Sequence, residues 1–278
     1  MTFYNRVAAL DVELKSGEVQ RTENLRIEFQ IEKTKDSTAN KAEIRVSNLS
    51  QETRAKIRER DALVRLYAGH SQDLGLALLF IGNSQHIVNN WETPDVITQI
   101  EAQDGQKVLR ETRTSFSFSG RISANVILTR LAGALGLPLR RNFNVPGYYE
   151  GFTFNGRAKD GLDQVTRRFG YTWSVVDNEI LIVPKAGNTG SVAVRLSPET
   201  GLVNTPERMN DQEGEFEEAL EKELEWKITS ILNSRLNPGA LIDLDSKQAK
   251  GLFQIEKVRH YGDTRGQDWY SEMEVKPR

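Results

Sequence analysis

The chain has 278 residues, with 38% hydrophobic and 27% charged side chains, an ordinary globular composition with room for two or three small domains. Its formal net charge of −2 gives no general electrostatic case for binding nucleic acid or a membrane surface. The absence of cysteine excludes disulfides, thiolate metal sites and a cysteine nucleophile. No stretch approaches the roughly 18 apolar residues of a membrane span. The opening MTFYNRVAALDVEL has no apolar segment of signal-peptide length, so a soluble protein or a member of a soluble assembly is expected.

Residues 1 to about 115 read as all-β. Val7 to Leu14 and the stretch from Val19 flank Ser16-Gly17, a hairpin turn. Leu25, Ile27, Phe29 and Ile31 alternate with Arg26, Glu28, Gln30 and Glu32, the period of a strand buried on one face and wet on the other. Ala42, Ile44 and Val46 repeat the pattern after a charged loop. Ser50 is placed to cap a short helix over Gln51 to Ile57, with Glu52 near its positive end. Short strands follow at Leu63–Tyr67, Ala77–Ile81, Gln85–Val88 and Val96–Ala102, the last two parted by Asn89 to Pro94. Many short strands without a long helix predict a barrel or a sandwich.

The composition changes at Gly120. Ser123 caps a helix whose Ile127, Leu131, Ala134 and Leu135 share a face, and Gly136 and Pro138 end it. Phe152 and Phe154 mark a strand, and Leu162, Val165 and Phe169 a second amphipathic helix. Tyr171–Val176 and Glu179–Val183 alternate about Asp177-Asn178, a two-residue turn suited to positive φ. Together these predict a compact αβαββ unit ending at Pro184. Lys185 to Gly190 reads as a linker. Strands return around Val194, Trp226, Leu241–Leu244, Leu252–Val258 and Trp269–Val275. The acidic run Asp211 to Glu218 reads as a solvated loop. The fold class expected is mainly β with an α+β insert, divided as 1–118, 119–186 and 187–278.

The search for chemistry returns no catalytic, cofactor-binding or metal-binding residues. His70, His86 and His260 do not stand at metal-ligand spacing. His260 could pair with Asp263 or Asp268 as an acid–base dyad, but Gly262 to Gly266 has the composition of a hairpin tip. No nucleophile elbow, phosphate loop or dinucleotide fingerprint is present. Arg140-Arg141 with Arg167-Arg168 would make a modest basic patch, suited to a protein partner. Tyr148, Tyr149 and Trp91 would be the aromatic platforms of a glycan- or receptor-binding module, and a cell-wall hydrolase would need a carboxylate pair that no motif supplies.

Several segments together resemble one family. Asn237-Pro238-Gly239 opening a strand, Lys250-Gly251-Leu252-Phe253, then His260-Tyr261-Gly262-Asp263 and Asp268-Trp269 look like the closing strands of baseplate hub proteins of contractile phage tails, the group that includes the late-control tail proteins. Tyr149-Glu150-Gly151-Phe152 through Gly170-Tyr171-Thr172-Trp173 to Pro184 resembles their helical insert, and Lys41 to Ser50 their first barrel. The resemblance implies two β-barrel-like tube domains flanking the insert, with three subunits placing six such domains around one axis. It implies a structural adaptor, not an enzyme, without a cofactor, in the tail baseplate of a virion assembled in the host cytoplasm. Implied partners are the other two copies, tail-tube or tube-initiator proteins, a central spike protein and other baseplate proteins. DNA would meet it only in transit, with no stable membrane association. The chain is short for such hubs, which implies a separate spike. In that setting the acidic run would line the channel and keep DNA from sticking.

Overall fold

A computed structural model describes residues 5–35, 39–58, 61–73, 75–140, 144–185, 192–209 and 225–278, with only the backbone of residues 106 and 107. The acidic run Asp211 to Glu218, Arg141 and most of the expected linker lie outside these residues. The fold is mainly β with a small α+β insert. The first part comprises β1 (Arg6–Glu13), β2 (Val19–Glu23), β3 (Ile27–Thr34), β4 (Lys41–Ser47), α1 (Gln51–Ile57), β5 (Leu63–His70), β6 (Ala77–Glu92) and β7 (Asp95–Gln103). The insert follows as α2 (Gln106–Glu111), β8 (Arg113–Ser123), α3 (Ala124–Leu135), β9 (Tyr148–Arg157), α4 (Ala158–Arg168), β10 (Tyr171–Val176) and β11 (Glu179–Pro184). The last part is β12 (Val194–Leu196), β13 (Leu202–Arg208), β14 (Trp226–Ile231), β15 (Leu241–Asp245), β16 (Lys250–Asp263) and β17 (Trp269–Pro277).

The local signals act as their chemistry dictates. The Thr53 N–H donates to the Ser50 hydroxyl at 3.0 Å and starts α1. Asp177 and Asn178 take φ of 54° and 64°, the left-handed pair that a tight hairpin requires. Ser123 caps α3, and Gly136, at φ 67°, ends it.

The two strand-rich parts share one sheet, in the order β13-β14-β17-β16-β3-β4-β7-β6-β5-β1-β2, with β15 and β12 branching from β16. The junction is the antiparallel pair β3–β16, registered Glu32 to Arg259 and Gln30 to Tyr261. The register of β16 against β17 shifts between Ile255 and Lys257. Before that irregularity β16 pairs with β15 through Lys250 to Gln254; after it, Lys257 to Asp263 pair with β3. One strand therefore serves two barrels by bending where an extra residue breaks the ladder. Among the described residues three large apolar cores result, with a small fourth cluster of Val176, Leu181 and Val183 on β10 and β11. Ile27, Ile31, Ile44, Val64, Leu66 and Ile100 lie in the first, Ile127, Leu131, Phe152, Leu162 and Trp173 in the insert, and Ile228, Ile242, Ile255, Met273 and Val275 in the last.

Some elements differ from the sequence expectation. Gln85–Val88 is not a separate strand: β6 runs unbroken for 16 residues, because Gly82, Asn83 and Ser84 still pair across the sheet. The insert has an additional strand, since β8 passes through residue 118 and pairs with β9, Phe116 opposite Phe154 and Phe118 opposite Phe152. Edge strand β13 carries Pro206 and little apolar alternation, which hid it from a period-two reading.

Candidate functional site

The side chains that point away from the barrel cores form one polar surface across the shared sheet. On β3 these are Glu28, Gln30 and Glu32. They stand beside Asp263, Tyr261 and Arg259 of β16 and beside Arg45, Glu43 and Lys41 of β4. The row continues outward to Tyr270, Glu272 and Glu274 of β17 and to Gln99, Glu101 and Gln103 of β7. Because side chains alternate along every strand, an in-register junction keeps this face polar from one barrel into the next.

Charge on this face is closely paired. Arg26 reaches Asp263 at 2.8 Å and Glu28 at 3.0 Å. Arg45 reaches Glu92 at 3.1 Å, Lys227 reaches Glu272 at 3.0 Å, and Arg259 donates to Gln30 at 2.6 Å. Pairs this exposed stabilise the fold by about 0–1 kcal/mol each; they offset most of the charge, while Glu32, Glu43 and Glu101 leave carboxylates in excess. Partial burial alone would raise the Asp263 carboxyl, yet hydrogen bonds from Arg26 and the Arg265 N–H hold it below its ordinary value. A groove of about 610 Å³ follows the β3–β16 seam, lined by both signs of charge, Arg26, Arg45 and Arg259 facing Glu28, Glu43 and Asp263.

Where the three cores meet, the polar groups are buried. Lys33 continues the inward alternation of β3 and is only 2% exposed. Its ammonium donates to Asp177 in the β10–β11 turn at 2.8 Å and to Asn237 at 2.9 Å. Asn40 donates its backbone N–H and its amide to Asp104, at 2.8 and 2.7 Å, and the same amide nitrogen to the Val175 carbonyl of β10 at 2.7 Å. One lysine and one asparagine thus tie the insert to the barrels. Sequence reasoning missed both; the only available signal was Lys33 occupying an apolar phase of the β3 pattern.

Two buried groups here titrate in opposite senses. Burial pushes the Asp104 carboxyl up to about 7, against the lowering effect of the Asn40 hydrogen bonds and the Lys33 charge. Burial, assisted by the Lys33 charge, pushes His260 down to about 3. The Asp104 contribution to stability is full below its unfolded value of 3.8 and is lost as pH rises through about 7. That of His260 is full above 6.5 and is lost as pH falls toward 3. The two slopes oppose each other between about pH 4 and 6.5. Relative to wild type, Asp104→Asn is therefore expected to gain stability as pH rises through this window, and His260→Asn to lose it. Urea melts of both variants across the window check this, and parallel curves for all three proteins would contradict it.

The other sequence candidates do not converge. His260 is fully buried in β16, its Nδ1 2.8 Å from the Ser271 hydroxyl, while Asp263 lies on the polar face bonded to Arg26. They form no dyad with each other. His70 is buried and His86 is exposed on β6. Among the described residues no three His, Asp or Glu side chains gather as a metal site. Tyr149 packs inside the insert against Phe152 and Phe169, so it is not a platform. Tyr148 is exposed and stacked by Arg121. Of the basic patch, Arg140 is bonded to Glu179 at 3.0 Å and Arg168 lies over the Tyr149 ring. Among the described residues no helix is long and apolar enough to cross a membrane.

No protein-family profile matches the chain, and no curated protein matches it in sequence. Solved structures do match in fold. The 43 kDa tail protein of prophage MuSo2 from Shewanella oneidensis superposes with a TM-score of 0.67 over 98% of both chains, at 9% identity. The tail protein from Neisseria meningitidis MC58 gives 0.65 over 98% of this chain and 97% of its own, at 10% identity. The E. coli c3393 protein gives 0.60 over 97% of this chain and 76% of its own, at 13% identity. It is described as a component of the type VI secretion system with structural similarity to T4 bacteriophage tail proteins gp27 and gp5. The chain has the fold of these proteins along nearly its whole length.

Proposed function

We propose that this chain is a structural protein of a phage tail, specifically a baseplate hub. Three copies would form a pseudo-six-fold adaptor that joins the tail tube to a central spike and surrounds the DNA channel. It makes no bonds and carries no cofactor. The part that ends with β7 and the part that begins with β12 act as the two tube domains, and α2 to β11 as the domain between them, in the baseplate of a virion. The first boundary lies before α2 and not at the expected residue 118, because Leu109, Phe116 and Phe118 pack in the insert's core. Partners are the other two copies, tube or tube-initiator proteins, the spike and other baseplate proteins. The observation that carries this reading is the polar face, mixed in charge with carboxylates in excess, that runs unbroken through the β3–β16 seam. Such a face suits the wall of a passage for a polyanion, because a basic wall would hold DNA, whereas paired charges with a moderate excess of carboxylates keep it from sticking. The fold shared with tail proteins supports the same reading. Among the described residues β13 and β2 end the strand order, each paired on one side, which leaves backbone groups for pairing between copies that closed symmetry would satisfy. Light scattering of the purified chain tests the proposal. The expected mass is about three times 31.5 kDa; a monomer at every concentration, also when mixed with its spike and tube proteins, would overturn it.

A further inference from the structure

We infer that the groove between α1 and the outer end of β6 docks an acidic segment of a partner protein carrying an apolar anchor. The groove holds about 630 Å³ and is lined by Arg54 and Arg58 of α1 and by Ile87, Val88, Asn90 and Trp91 of β6, among others. Among the described residues those two arginines are its only charged lining residues. Neither makes an ion pair among the described residues, whereas Lys56 on the same helix is held by Glu18 and Glu52. On the polar sheet face the cations are matched by carboxylates; here, among the described residues, neither guanidinium has a carboxylate partner, the charge complement of an acidic chain.

Trp91 supplies the second half of the argument. It is 75% exposed, while Trp173 and Trp269 are each 1% exposed. The ladder holds its backbone opposite Val96, and the Arg54 guanidinium lies 5.3 Å from its ring centroid. An indole fixed in this way loses little freedom when covered, and tryptophan and arginine are the residues that most often dominate binding energy at interfaces. Half-buried Ile87 and Val88 offer an apolar floor for the anchor. A neutral sugar is the poorer occupant: Arg54 stacks on the ring, Asn89 already accepts from Thr98 at 2.8 Å, and two unmatched cations would gain nothing. This inference does not depend on the hub reading.

The test uses the full chain and a short fluorescein-labelled peptide of alternating glutamate and leucine with a central phenylalanine, read by anisotropy. Saturable binding that weakens as salt rises is expected. The Arg54→Glu/Arg58→Glu double variant should lose about tenfold or more in affinity. Trp91→Ala should lose a similar factor and Trp91→Phe much less, while a glutamine-for-glutamate peptide should not bind. All these positions are at the surface, so unchanged melting curves will show that the variants fold. Absence of binding to wild type, equal binding by the double variant, or saturable binding of a neutral oligosaccharide at Trp91 would overturn the proposal. So would loss of self-association in the double variant without peptide binding, which would give the groove to a second copy. The mass of the wild-type assembly is a separate readout, so this inference and the hub reading fail independently.

Discussion

Trp269→Ala is expected to lower the stability of the chain by about 3–5 kcal/mol and the melting temperature by about 10 °C. Trp269 begins β17, in the C-terminal part of the chain, yet its side chain lies in the core of the first barrel. Its ring meets Phe29 of β3 edge-on, 5.4 Å between centroids at 71°, and approaches His70 at 6.3 Å. The Arg6 guanidinium stands 5.7 Å from the ring centroid. Gly262, its partner in the ladder, leaves space for these rings: a Cβ there would come within 2.6 Å of Phe29 and 2.7 Å of Trp269. Truncation would open a large cavity beside the β3–β16 seam, where little can collapse to fill it. Chemical denaturation should show one transition shifted to lower denaturant. If only the C-terminal barrel were destabilised, the claim that this residue joins the two halves would be wrong.

Lys33→Ala should be next in size, at about 3 kcal/mol. Removing the ammonium leaves Asp177 and Asn237 without their buried donor, and a carboxylate deprived of its partner keeps its desolvation cost. The loss stays this modest because Asp177 is 18% exposed and keeps Arg140 at 3.9 Å. The loss should concentrate at the insert, since Lys33 ties the β10–β11 turn to the barrels. Hydrogen exchange in Tyr171–Val176 and Glu179–Pro184 should speed up more than in β4 or β7. Neutralising both partners, Lys33→Met with Asp177→Asn, should recover part of the stability, because two neutral groups leave no unpaired charge. Uniform acceleration across all strands would show that the lysine is only a packing element.

Much of this architecture was legible in the chain because local chemistry and the final environment agree there. Ser50, Ser123, Gly136 and the Asp177-Asn178 turn act as their residue types dictate, and Leu25 to Val46 alternates as a half-buried pair of strands must. What the sequence hid depends on contacts distant along the chain. Lys33 reads as a solvated charge until Asn237, some two hundred residues away, is placed beside it. Likewise Trp269 reads as part of its own hairpin until Phe29 is seen against it. The His260–Asp263 proximity in sequence suggested chemistry that the sheet denies, since neighbours a few residues apart in a strand can face opposite sides. The polar face was visible strand by strand as Glu28, Gln30 and Glu32 or Arg259 and Tyr261. Its continuity required the β3–β16 register.

The central claim is that this face surrounds an axial passage in a ring of three chains. Electron microscopy of the assembled peak, carried to a density map, tests it most directly. The account predicts six barrels around one axis, with Glu28, Gln30, Arg259 and Glu272 lining the opening and the apolar cores outside. A ring that turns this face outward, or an assembly without an open axis, would contradict it.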